Sequence, residues 1–191
     1  MKYMTAKEED ILSNQAYIQK GTVLDKLVQS LIVGDVNYDD LIVGDKNAIM
    51  IAARILGYGK DYEFDYKGEK VSVDLSKLEN KVFDEKAITK GVNEFSFTLP
   101  NSGVLITYKL LTHKDEMNID AELKGLKKIN KNSDPVVSTR MKHIILSVNG
   151  DDNSKYVREF VDNYFLASDA RLFRQHVREI QPDVNLKTSV E

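Results

Sequence analysis

The sequence predicts an α+β protein: a mainly helical body built from both ends of the chain, with a small antiparallel β-sheet inserted in the middle. Three observations predict it. Apolar residues recur at the 3, 4, 7 spacing of a buried helix face over residues 5–59, the period falls to two over residues 61–111, and the helical period returns after residue 112. The expected division is a helical body of 1–60 with 112–182, a β-sheet subdomain of 61–111 and a C-terminal tail of 183–191.

Thr5 with Glu8 reads as a capping box, and Glu8-Glu9-Asp10 suits the positive end of a helix dipole. Gly21 is expected to end that helix. Thr22 and Asp25 start the next, with Leu24, Leu27, Val28 and Leu31 on one face. The segment Leu-Ile-Val-Gly-Asp then occurs twice within residues 31–45. In the first copy Leu31-Ile32-Val33 closes a helix and Gly34 stops it, whereas in the second Leu41 to Gly44 lead up to Asp45 as the cap of a third helix. Ala48, Ile49, Ala52, Ile55 and Leu56 line one side of that helix, which stops at Gly57-Tyr58-Gly59.

Tyr62, Phe64 and Tyr66 alternate with acids, Lys67-Gly68 is a turn, and Val71, Val73 and Leu75 alternate beyond it, so a β-hairpin is expected. Further strands are expected at Phe95 to Leu99 and Val104 to Leu111, joined by Pro100-Asn101-Ser102-Gly103. The link Lys77 to Lys90 fits either a loop or a ragged strand. Thr112 and Asp115 cap a helix running to about Asn130. Asp134-Pro135 starts another, expected to carry Val136, Val137, Met141, Ile144, Ile145 and Val148 as far as Asn149-Gly150. Two more helices are expected, at residues 154–166 and 170–180, before Pro182.

A chain of 191 residues, 42% hydrophobic and 30% charged, suffices for one domain or two small ones. The net charge of −3 supplies no general field for nucleic acid or an acidic membrane. With no cysteine there is no disulfide, thiol nucleophile or cysteine-bound zinc. No apolar run approaches a membrane span of roughly 20 residues. The opening MKYMTAKEED lacks a signal peptide's apolar centre, so a cytosolic protein with no membrane or nucleic-acid partner is expected.

The catalytic and metal motifs are incomplete. Asp35, Asn37 and Asp39 match the first, third and fifth ligands of an EF-hand loop, but Asp40 replaces the turn glycine and Lys46 the bidentate glutamate. Gly57-Tyr58-Gly59-Lys60 follows a helix and precedes a strand, the reverse of a phosphate loop. His113, His143 and His176 are isolated, and no Gly-x-Ser-x-Gly elbow occurs. Lys124, Lys127, Lys128 and Lys131 form a basic helix face without interleaved aromatics, which is the pattern of a solvated face. No enzyme, metal or cofactor is expected. Two other classes remain: a small hydrolase or nucleotide-dependent enzyme built from scattered acids, Lys60 and the histidines, and a nucleic-acid-binding accessory protein using the lysine face.

Three segments carry a family resemblance: GDKNAIMIAARILGYGKDYEF (Gly44 to Phe64), FTLPNSGVLITYKLLTHKDE (Phe97 to Glu116) and YVREFVDNYFLASDARLFRQHVREIQPDV (Tyr156 to Val184). Together with the opening MTAKEEDIL, their order and spacing resemble the baseplate hub assembly chaperone family, also labelled baseplate hub subunit, of T4-like contractile-tailed bacteriophages. The resemblance implies a non-enzymatic phage tail protein, present in the host bacterial cytoplasm during assembly, either an assembly chaperone or a subunit kept in the virion baseplate. Its implied partners are baseplate hub components and tape-measure proteins.

The chain departs from the family where some members carry Cys-x-x-Cys. Tyr66-Lys67-Gly68-Glu69-Lys70 stands there, so no zinc ribbon is expected. The chain also opens almost at the MTAKEE-like segment and stops at Lys187-Thr188-Ser189-Val190-Glu191, so it is expected to be either shorter than its relatives or a processed form.

A binding protein needs exposed aromatic and arginine side chains, the types that dominate interface energetics. The candidate partner-binding residues are Arg54, a charge in an apolar helix, and Asp169, Arg171, Leu172, Phe173 and Arg174 in the last helix. Asp169, Arg171 and Arg174 are expected to be exposed. Tyr156, Phe160 and Tyr164, spaced by four, are expected to form a core-facing row.

Overall fold

A computed structural model describes residues 1–82, 88–89, 91–132 and 134–186. The fold is α+β, with eight α-helices and two antiparallel sheets among the described residues. The chain divides into two units, residues 1–82 with 182–191 and residues 83–181. This differs from the expected division. The helices of the two chain ends belong to different units, and the expected 61–111 sheet is split between them.

In the first unit, α1 (Ala6–Ser13), α2 (Gln15–Gln19), α3 (Val23–Leu31) and α4 (Val43–Tyr58) precede a hairpin of β1 (Asp61–Tyr66) and β2 (Glu69–Asp74). The single expected first helix is two, because Asn14 leaves the helical conformation and its side chain caps α2 at the Tyr17 N–H, 3.2 Å away. Glu8 is fully buried in α1, where it accepts from the Thr5 N–H at 2.8 Å, the Thr5 hydroxyl at 2.6 Å and Lys2 at 2.7 Å. Leu27, Leu31 and Ala53 form the core with Met4, Ile11 and Leu12 packed against them. Leu24, expected on the buried face, is 50% exposed.

The two Leu-Ile-Val-Gly-Asp copies differ much as expected. Ile32 caps the end of α3 and Gly34 lies at φ +105°. In the second copy, however, α4 starts at Val43, and Asp45 sits in its first turn, where it accepts the Ile42 N–H at 3.2 Å. Gly44 is helical and tightly packed: a Cβ there would lie 2.0 Å from the Pro182 carbonyl oxygen. The segment directly after Pro182 is anchored as well, at residues 183–185. Residues 183–185 run antiparallel to 79–81 through an Asn80–Val184 bridge, and Asp183 accepts from Asn47 at 2.9 Å. The rest of the Lys77 to Lys90 link, at 83–87 and 90, and the tail at 187–191 lie outside the described residues.

The second unit holds β3 (Phe95–Thr98), β4 (Leu105–Tyr108), α5 (His113–Ile129), α6 (Val136–Ile144), β5 (Ile145–Val148), α7 (Ser154–Asn163) and α8 (Ala167–Ile180). Thr112 caps α5 as expected, exchanging bonds with Asp115 at 3.1 and 3.3 Å. The sheet order is β3-β4-β5, all antiparallel.

β5 corrects the expected long helix to Asn149. Ile145 leaves helical geometry and the chain pairs with β4, Tyr108 opposite Ile145 and Ile106 opposite Val148. A short apolar run satisfies either period, and pairing with β4 decides it. Ile106, Tyr108, Ile145 and Val148 thereby join Leu99, Ile119, Met141, Val157, Phe160 and Phe173 in one core. Each large apolar side chain buried there contributes roughly 1.5–3 kcal/mol.

Candidate functional site

In the first unit a groove of about 460 Å³ is lined by Leu24, Asn47, Met50, Ile51, Arg54, Tyr62, Leu75 and Leu186. Its walls are mostly apolar, with Leu24 and Leu186 more than half exposed or close to it, at 50% and 58%. Arg54 is the one sequence-selected residue in this lining. Among the described residues its hydrogen bonds go to backbone carbonyls rather than to an acid side chain. Its guanidinium donates to the Gly59 and Asp61 carbonyls at 2.8 and 3.2 Å and stacks over the Tyr58 and Tyr62 rings. It thus ties the end of α4 to the start of β1.

The run on α8 separates by helical period. Arg171 and Arg174 are exposed and Leu172 is half-buried. Phe173 is completely buried, its ring against Phe97, Tyr108 and Phe165, so it belongs to the core rather than to a binding surface. Asp169, expected to be exposed, is also completely buried. It accepts from the Asn101 N–H and side-chain amide at 2.8 Å and from the Ser102 N–H at 3.0 Å, which joins α8 to the turn after β3. Burial pushes its carboxyl up, but these bonds outweigh that and hold it below the usual range.

The expected core row of aromatics divides in the same way. Phe160 is core, stacked on Phe165, while Tyr156 and Tyr164 are 39% and 63% exposed. A four-residue step overshoots the helical turn by about 40°, and Tyr164 lies past the end of α7, so the row turns away from the core.

Three of the groups considered for chemistry have definite partners. Lys60 pairs with Asp74 at 2.9 Å, His143 with Glu122 at 2.9 Å, and His176 bonds the Tyr108 hydroxyl at 2.7 Å beneath Phe97. Burial pushes the Tyr108 phenol up to about 12 and the His176 imidazole down from its ordinary value. Glu122 also meets Arg158, linking α5 to both α6 and α7. Burial raises its carboxyl, and the bonds from His143 and Arg158 bring it below the ordinary value.

In the segment read against the EF-hand, Tyr38 is buried and its hydroxyl donates to Asp25, which also accepts from Lys46 at 2.9 Å. Burial, then Asp25, pushes that phenol far above its usual value. Lys124, Lys127, Lys128 and Lys131 are exposed, Lys127 meeting Asp134 at 3.1 Å. Among the described residues no group of three or more metal-ligating side chains converges. No described helix is long and apolar enough to cross a membrane.

Sequence reasoning missed the partners of Asp169 and Asp25, because contacts 67 or 68 positions away, and a tyrosine inside an apparent acidic loop, leave no periodic signal. It did find the alternation of the hairpin, though not that its aromatic face stays accessible: Tyr62 and Tyr66 are 44% and 51% exposed. No family model, curated protein or solved structure matches this chain.

Proposed function

We propose that this protein acts without catalysis as a phage tail-assembly factor, binding baseplate hub components as a structural subunit or an assembly chaperone in the infected bacterial cytoplasm. The observation that carries this reading is the three ordered sequence blocks spanning Gly44 to Val184. An assembly factor needs a stable body and accessible apolar surface matched to another subunit. The apolar groove beside α4 and the accessible tyrosines of the hairpin are surface of that kind. Hub and tape-measure proteins are its proposed partners.

Co-expression with hub and tape-measure proteins, followed by affinity capture of this chain, tests the reading. Co-purification of a hub component at fixed stoichiometry is expected. Recovery of this chain alone from every pairing overturns it.

A further inference from the structure

Among the described residues the β1–β2 hairpin has an open edge, and its two faces are respectively aromatic and acid-rich. Its register pairs Asp61 with Asp74 through to Tyr66 with Glu69, and one pair beyond, the Leu75 N–H donates to the Lys60 carbonyl at 2.9 Å. Bonded and non-bonded pairs alternate in an antiparallel ladder. Tyr62, Phe64 and Tyr66 therefore turn their backbone groups toward β2, whereas Asp61, Glu63 and Asp65 turn theirs outward. The Arg54 bond to the Asp61 carbonyl lies on that outward side. Among the described residues no backbone group pairs with Glu63 or Asp65 there.

Side chains alternate with the same period. Tyr62, Phe64 and Tyr66 share one face with Val73, Val71 and Glu69, and Asp61, Glu63 and Asp65 share the other with Asp74, Ser72 and Lys70. Tyr62 also belongs to the groove wall, so the apolar face continues into the groove. Lys60 is bound to Asp74, and Lys70 stands opposite Asp65, whereas Glu63 stands opposite Ser72, so acids outnumber cations on this face.

An open edge is a template for another strand, and a sheet of only two strands gains most from a third. The acids select the strand. A second copy of β1, antiparallel and centred on Glu63, would set Glu63 against Glu63 and Asp61 against Asp65, placing like charges opposite one another. The charge that complements this row is Lys or Arg.

We propose that the outer edge of β1 binds a short extended segment of another protein in which Lys or Arg alternates with apolar residues. Its backbone pairs with the outward N–H and C=O groups of Glu63 and Asp65. Its cations face Glu63 and Asp65, and its apolar side chains lie beside Tyr62 and Tyr66. This deepens the binding reading above and rests on it for the existence of a protein partner.

The full chain is titrated with a peptide of alternating lysine and valine and with a control of the same composition in which the lysines and valines form separate blocks. Hydrogen exchange is read at each amide. The alternating peptide is expected to slow exchange at Glu63 and Asp65. The double variant Glu63→Lys, Asp65→Lys is expected to weaken its binding by about tenfold, as loss and reversal of two cross-strand ion pairs implies. Circular dichroism of the variant confirms that it remains folded. Equal protection by the block peptide, or protection confined to Leu24 and Met50 in the groove, overturns the proposal. The same variant in the hub capture separates the two readings. A hub component retained at full yield sinks the edge and leaves the assembly function, whereas capture of no tail protein by the unaltered chain sinks the assembly function.

Discussion

Asp169 holds Asn101 by both its backbone and its side chain: one carboxylate oxygen accepts from the Asn101 N–H and its amide nitrogen, each at 2.8 Å. The other oxygen takes the Ser102 N–H at 3.0 Å. A buried carboxylate with three donors fastens the turn after β3 to the first turn of α8. Asp169→Ala removes three hydrogen bonds to a buried charged acceptor and is expected to destabilise the protein by about 2–3 kcal/mol, with Asp169→Asn intermediate. Urea unfolding followed by far-UV circular dichroism measures both. A loss within about 0.5 kcal/mol, typical of neutral surface changes, would contradict the clamp.

Phe173 and its neighbours on α8 make opposite predictions. Phe173→Ala empties the aromatic centre packed by Phe97, Tyr108 and Phe165 and is expected to cost about 3–5 kcal/mol. Arg171→Ala and Arg174→Ala, on the exposed face, are expected to change stability by less than about 0.5 kcal/mol. Thermal unfolding of the three variants side by side distinguishes core from surface.

Gly44 packs against Pro182 so closely that no Cβ fits between them. Gly44→Ala is expected to displace the 182–186 segment and cost about 2 kcal/mol, an overpacking loss that exceeds the helix propensity gained by alanine. Limited proteolysis should reveal new cleavage near Asp183 in the variant. An unchanged digestion pattern with raised stability would refute the close approach.

Stability should fall with acid in two stages. Hydrogen bonds from Lys2 and Thr5 hold Glu8 at about 2, and those from Ser76 and Lys60 hold Asp74 at about 2. Asp169 and Glu122 are lowered as well. Each carboxylate binds fewer protons folded than unfolded. Its contribution is therefore complete above the unfolded value, near 4, and is lost as pH falls through the folded one. His176 has the same sign: burial favours its neutral form, so its contribution is complete above its ordinary 6.5 and declines below it. Urea midpoints should decline modestly below about pH 6.5 and steeply below about pH 4.5. His176→Gln should remove the contribution of His176 to the first decline and leave the second. A first stage unchanged in that variant would assign it elsewhere.

Local chemistry made much of the fold legible. Thr112 and Asp115 cap α5 where their spacing placed them, and Lys67-Gly68 forms the hairpin turn with both residues at positive φ, 52° and 87°. Such signals act over three or four residues, so the sequence carries them directly. The candidate surface was less legible. Arg171 and Arg174 are exposed as their period implies, but Asp169 and Phe173, in the same short run, are buried by partners far along the chain.

By itself the sequence determined the helix and strand periods, the caps and turns, the α+β class and the acid–aromatic alternation of β1, because each is set by neighbours within about one helical turn. Only the tertiary structure decided that Ile145–Val148 leaves helix to pair with β4, that Pro182 closes over Gly44, and that Asp169 is an internal fastening. Those outcomes turn on which distant backbone donor or apolar surface a residue meets when the chain closes, and burial of an unpaired polar group is too costly for the local preference to prevail.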